Sequence, residues 1–275
     1  MRSAGAALEP AVPRTGGFLR RVNIIGVGVH PLKFAAAIDL LAGWLSASIP
    51  RIVVFPGSDI LAAANNNPEY REILNKADLT ATDGMMLVRL CKWFGCAEAE
   101  RVYGPDVMLA LCERSIQPRW RHFFFGGAPG VADELASRLS QRYPGLQIAG
   151  TYSPPFRPLA DHEEATIIDQ INETHADILW VGLGAEKQVF WMANNRSALN
   201  PTLLLGVGAA FDFHSGTTRQ APRWIRSAGG EAIFRVLVEP RRLGRRYILG
   251  SAYFLMLVLT QISRMREFPI GSEKA

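Results

Sequence analysis

At 275 residues, with 48% hydrophobic and 20% charged side chains, the chain can bury one large core, or a core with a small appendage, and a disordered polymer is excluded. The three cysteines, Cys91, Cys96 and Cys112, are odd in number and lack CxxC spacing, which argues against a disulfide framework or a zinc site and points to a reducing compartment. The net charge of +5 is concentrated: residues 219–246 hold eight arginines against Glu231 and Glu239, a local charge of +6 that leaves the remainder about neutral.

In chain order, residues 1–21 carry Glu9, Pro10 and Pro13 where a secretory signal would need an unbroken apolar stretch, so they are expected to form a flexible tail. Short β-branched or aromatic runs then alternate with longer helical patterns. RVNIIGV, RIVVF, DLTAT, HFFF, LQIAG, DILWVG and TLLLGVG each precede a turn and usually a helix. The alternation predicts an α/β fold over residues 22–218, a mostly parallel sheet wrapped by helices. Several runs end in glycine or Asp-Gly, and ligands in such folds bind beyond the carboxyl ends of the strands, so the active site is expected at these turns. Composition shifts at about residue 219, which sets the boundary to an arginine-rich appendage, 219–275.

Asp83 stands where DLTAT stops and MMLVRLCKWFG begins. It suits either an N-cap of that helix or a general base held at the carboxyl end of a strand. The turn FFFGGAPGVADELASRL puts Gly126 and Gly127 where backbone can approach a diphosphate or ribose, although no GxGxxG fingerprint or P-loop lysine is present. Gly184, Lys187 and Gln188 follow another strand and open a helix toward the same side. Asp212, between Phe211 and Phe213, needs a partner in its apolar setting, either a backbone group or a ligand hydroxyl.

In EPRRLGRRY, Glu239 can cap and Pro240 can start a helix, so that Arg242, Arg245 and Arg246 share one face able to neutralise a diphosphate or to meet solvent and lipid. The following YILGSAYFLMLVLTQI, 247–262, is apolar nearly all round but shorter than the roughly 20 residues of a spanning helix, which suggests lying on a membrane surface. Arginines beside such a stretch fit lipid better than DNA, so no nucleic-acid partner is expected. The histidines are isolated and no HxxxH or DxD pair occurs, so metal-independent chemistry without a cofactor is expected.

These residues, in this order, resemble the WecG/TagA/CpsF family of glycosyltransferases. GVGAAFDFHSGTTRQAPRWIRSAGGEAIFRVLVEPRRLGRRYILG, 206–250, is similar over almost its whole length, and ADLTATDGMMLV, ERVYGPDVM, FFFGGAPGVA and VGLGAEKQVFW are similar to further family motifs, from about residue 22 to 255. The resemblance implies a Rossmann-like core whose C-terminal appendage docks on the membrane and completes the site. It also implies inverting, metal-independent transfer from a UDP-sugar to a polyprenyl-diphosphate-linked sugar, at the cytoplasmic face of the cell membrane, in surface polysaccharide synthesis. On that resemblance Asp83 is the catalytic base, Gln188 and Asp212 help hold the nucleotide sugar, and Arg235, Arg242 and Arg245 stabilise the departing diphosphate. The partners expected are the donor, the lipid-linked acceptor and the membrane surface, with a homo-oligomer left open.

The chain also departs from the family. Phe55-Pro56-Gly57 stands where Thr-Pro-Asn is common, the stretch Gly184-Ala-Glu-Lys-Gln-Val189 varies GxPKQE, and Gly229-Gly-Glu-Ala232 varies GLEW. Loss of polar groups changes which substrates a site rejects. It also motivates an alternative, a non-catalytic membrane-associated subunit that binds a nucleotide sugar. The glycine-rich turns raise a dinucleotide-binding oxidoreductase, against which the missing third glycines count.

Overall fold

The computed structural model describes residues 19–47, 49–238 and 240–270. Most of the tail expected over residues 1–21 therefore lies outside the described residues. The chain enters through a hairpin, β1 Val22–Ile24 and β2 Val27–Val29, then α1 Phe34–Trp44, β3 Arg51–Val54, α2 Ser58–Asn66, α3 Pro68–Lys76 and β4 Leu79–Thr80. Next come α4 Met85–Trp93, α5 Gly104–Arg114, β5 Arg121–Gly126, α6 Val131–Arg142, β6 Gln147–Tyr152, α7 Asp161–Glu173 and β7 Ile178–Gly182. The last are α8 Ala185–Asn195, β8 Leu203–Gly206, α9 Ala210–His214, α10 Arg223–Ala228, α11 Glu231–Val238 and α12 Pro240–Ile262.

Among the described residues the main sheet has six strands in the order β4-β3-β8-β7-β5-β6, every neighbouring pair parallel. Parallel strands need cover on both faces, and the sequence supplies side chains for both. In β5, Phe123 and Phe125 enter one apolar cluster while Phe124 enters the other; in β7, Leu179 and Val181 alternate in the same way with Ile178 and Trp180. Helices α1, α5 and α6 cover one face, and α2, α3, α4, α7, α8 and α12 cover the other. The expected Rossmann-like α/β fold is thus observed.

RVNIIGV differs from its reading as one strand. It folds back at Ile25-Gly26, whose φ angles of 46° and 85° are both left-handed, as a two-residue hairpin turn of the primed type demands. Glycine accepts that conformation freely, whereas Ile25 is a β-branched residue held there by full burial and by donating its N–H to Gln261 Oε1 at 2.9 Å. Gln261 Nε2 returns a bond to the Asn23 carbonyl, so the last turn of α12 clamps the hairpin.

The apolar stretch 247–262 forms the greater part of α12 and has two destinations. Phe254, Leu257 and Val258 are buried in the core, and the Tyr253 hydroxyl donates to Asn66 Oδ1 of α2. Leu249, Met256 and Leu259 are exposed, as are Trp224, Ile233 and Leu237 on α10 and α11. No helix among the described residues is long and apolar enough to cross a membrane.

Burial of Phe254 makes α12 part of the folded core. Phe254→Ala is expected to lower unfolding free energy by about 3 kcal/mol, read from denaturant midpoints; an unchanged midpoint would mean that this helix packs without contributing to the core.

Candidate active site

A cleft of about 990 Å³ runs along the carboxyl ends of the parallel strands. Its wall is built from the turns after β3, β4, β5, β7 and β8, which contribute Phe55 and Gly57, Asp83, Gly127, Gly184 and Gly208 respectively, and from Asp212 in α9. Helix α8 adds Lys187 and Gln188, and α11 adds Glu231 and Arg235. The strand order explains the convergence, because the chain builds β4 on one side of β3 and returns to β3 through β7 and β8, leaving a crevice where the order reverses.

Asp83 is a strongly perturbed carboxyl on the wall of this cleft. It does not cap the helix that follows it: the N-cap of α4 is Gly84, without a side-chain bond. The Asp83 carboxylate instead accepts the backbone N–H of Gly104 at 3.0 Å, at the start of α5. The backbone is fixed too, since Arg101 Nε donates to the Asp83 carbonyl at 2.5 Å and Thr82 Oγ1 donates to the Glu100 carbonyl at 2.6 Å. Burial raises the carboxyl from its usual range to about 7, with Glu231 and Asp59 pushing the same way, against the opposing charge of Arg101 and the Gly104 N–H. A carboxyl of that pKa is half ionised at neutral pH, which suits proton abstraction.

The other expected residues take different roles in the geometry. Gln188 is buried and its Oε1 accepts the Gly208 N–H at 3.0 Å, so it braces the turn after β8 while facing the cleft. Lys187 is exposed at the lip. Gly184, at φ 94°, opens α8 with space where a side chain would stand. Gly127 reaches the cleft, but Gly126 faces the neighbouring strand: a Cβ there would come within 2.5 Å of the Gly182 carbonyl carbon. Asp212 lies in α9, and its carbonyl accepts the Thr218 N–H at 3.0 Å. The Arg235 guanidinium sits 5.5 Å from the Phe213 ring centroid. Arg242 and Arg245 belong to the first turns of α12, and their side chains fall outside the described residues.

Sequence reading missed the network behind Asp83. Arg101 pairs with Glu231, and the Tyr103 hydroxyl donates to the same carboxylate at 2.5 Å. Arg226 reaches Asp106 at 3.0 Å. The available signal was ERVYGPDVM, which holds Arg101, Tyr103 and Asp106 within six positions and gave no reason to couple them to residues 226 and 231.

Because the folded pKa of Asp83 lies above the unfolded value near 4, the native state binds the extra proton between about pH 4 and 7, and stability falls as pH rises through that window. Asp83→Asn is expected to be more stable than the wild type at pH 8 by about 2 kcal/mol, with solvent at the cleft mouth moderating the gain, and to match it near pH 4. Urea unfolding at both pH values measures this; equal stability at pH 8 would show that the carboxyl is not raised.

The sequence model described as "Glycosyl transferase WecG/TagA/CpsF family" matches residues 22–267. The N-acetylglucosaminyldiphosphoundecaprenol N-acetyl-beta-D-mannosaminyltransferase of Bacillus spizizenii is 31% identical over 193 residues, which cover 70% of this chain and 73% of that protein. These matches displace the dinucleotide-binding oxidoreductase reading. With a family match across nearly the whole chain and a relative of this identity and coverage, the chain belongs to the WecG/TagA/CpsF family and is a glycosyltransferase.

Proposed function

We propose that the protein transfers a sugar from a UDP-sugar to a polyprenyl-diphosphate-linked sugar, with inversion and without a metal, and that Asp83 is the base. The observation that carries this reading is a carboxyl with a pKa near 7 on the wall of a large cleft at the carboxyl ends of the strands. The acceptor hydroxyl oxygen attacks the anomeric carbon and its proton passes to Asp83, while the bond from that carbon to the diphosphate oxygen breaks and UDP departs. The name of the Bacillus spizizenii relative suggests an acceptor that presents N-acetylglucosamine on an undecaprenyl diphosphate.

Charge grows on the diphosphate as it leaves, and arginine guanidiniums with their forked donors are suited to meet it. Arg235 lines the cleft, and Arg242 and Arg245 follow within the next helix. Gln188, Asp212, Gly127 and the open backbone at Gly184 would hold the nucleotide sugar. Exposed Trp224, Ile233 and Leu237, with Leu249, Met256 and Leu259, offer an apolar surface beside this arginine-rich segment, which fits peripheral attachment to the cytoplasmic face of the membrane.

A non-catalytic nucleotide-sugar-binding subunit is the second reading, favoured by Phe55, which packs toward Gly104 beside the base, and by the lack of any side chain at Gly57. The test is acceptor-dependent UDP release in detergent, with a panel of UDP-sugars and short-chain lipid-diphosphate sugars. Asp83→Asn should lower turnover by about 100-fold or more while UDP binding persists. Loss of binding together with turnover would remove Asp83 from the base role; UDP binding without turnover by the wild type across the panel would favour the subunit reading.

A further inference from the structure

We propose that Glu231 is a positioning residue for Asp83: it holds the Arg101 guanidinium off the Asp83 carboxylate and, by the same contact, fastens the C-terminal helices to the segment that carries the base's hydrogen-bond donor. The inference rests on the reading of Asp83 as the base.

Arg101 is held on three sides. Its Nη2 pairs with Glu231, its Nε is given to the Asp83 backbone carbonyl at 2.5 Å, and its guanidinium carbon lies 3.8 Å from the Tyr103 ring centroid. The Asp83 carboxylate therefore takes its hydrogen bond from the Gly104 N–H, at 3.0 Å, while the nearest cation is committed to another acid. Arg101 and Glu231 are only 16% and 14% exposed, so their interaction is poorly screened by water. Two carboxylates thus share one guanidinium in a low-dielectric setting, and whichever lacks the direct contact retains the proton longer.

The contact is also mechanical. Glu231 opens α11, and its other oxygen accepts from the Tyr103 hydroxyl at 2.5 Å. From α10, Arg226 reaches Asp106 in the first turn of α5 at 3.0 Å. Both helices therefore grip residues 101–106, and Gly104 within that segment supplies the N–H to Asp83. The charged and titratable groups facing Asp83 are Arg101 and Tyr103 from the chain before α5, Glu231 from α11, and Asp59 from α2, with Arg226 and Asp106 beyond Tyr103 and Lys187, Asp212 and Arg235 on the same cleft wall. Among these, Glu231 both borders the base's cation and belongs to the C-terminal segment.

The experiment follows the Asp83 carboxyl by 13C NMR titration of the full-length protein in detergent, assigned by its absence in Asp83→Asn, together with the acid limb of kcat/KM for a UDP-sugar and a short-chain lipid-diphosphate sugar. In Glu231→Gln the titration and the acid limb should both move to lower pH by about one unit, because Arg101 is released to Asp83. In Arg101→Gln they should move to higher pH. Glu231→Asp should largely restore the wild-type limb. Arg226→Gln, which breaks the other anchor but leaves the Arg101–Glu231 pair, should move both midpoints by less than Glu231→Gln does.

A Glu231→Gln midpoint that stays at the wild-type value, whatever happens to turnover, overturns the inference and assigns Glu231 a purely structural role. Should that variant not fold, an unmoved midpoint in Arg101→Gln overturns it equally. A wild type whose Asp83 titrates near 7 but whose kcat/KM has no matching acid limb removes the base reading and the catalytic half of the inference, and leaves the charge-sharing judged by the titration alone.

Discussion

A parallel sheet is stable in water only when both of its faces are covered, and that requirement organises this molecule. One face is closed by α1, α5 and α6, with Ala210 and Phe211 of α9 packed beside them. On the other, α12 completes the cover by burying Phe254, Leu257 and Val258. The same helix end clamps the N-terminal hairpin through Gln261. Covering the sheet thus brings the C-terminal segment back across the strands' carboxyl ends, where α10 and α11 deliver Arg226, Glu231 and Arg235 to the cleft. Packing and chemistry draw on one stretch of chain, with alternate faces assigned to each.

Within the cleft the dominant electrostatic fact is the burial of Asp83. Desolvation raises its carboxyl to about 7, and the two influences that oppose this, the Arg101 charge and the Gly104 N–H, are themselves constrained by contacts elsewhere. Arg101 answers to Glu231, and Gly104 begins a helix whose first turn is anchored by Arg226. The local charge balance of one carboxyl therefore depends on residues more than 100 positions away in sequence.

The floor of the cleft near this carboxyl is less polar than the family pattern suggests. Phe55 is largely buried, with its ring against Gly104, and Gly57 opens α2 without a side-chain cap. An aromatic wall there deepens the desolvation felt by neighbouring groups and removes hydrogen-bond partners from whatever sugar enters. Phe55 also belongs to the core on the face covered by α1, α5 and α6, so it serves packing as well as lining the cleft.

The repeating apolar runs by themselves determined the α/β class, the parallel sheet and the placement of the functional turns at strand ends, because burial on both faces leaves consecutive apolar residues such as Phe123, Phe124 and Phe125. Motif resemblance singled out Asp83, Gln188, Asp212 and Arg235, which border one cleft together with Lys187, and also Arg242 and Arg245, whose side chains lie outside the described residues. Tertiary structure decided what local patterns could not express. RVNIIGV turns at Ile25-Gly26 because distant Gln261 and core burial hold an isoleucine in a left-handed conformation. Gly126 is held small by Gly182 across the sheet, whose carbonyl carbon would stand 2.5 Å from a Cβ there. Asp83 receives its hydrogen bond from α5, not from the helix that follows it, and Glu231 reaches Arg101 across 130 residues. The reason is common to all of these: periodicity and propensity record what a residue needs from its own element, whereas pairing, desolvation and shared charges are set by which elements the closed sheet brings together.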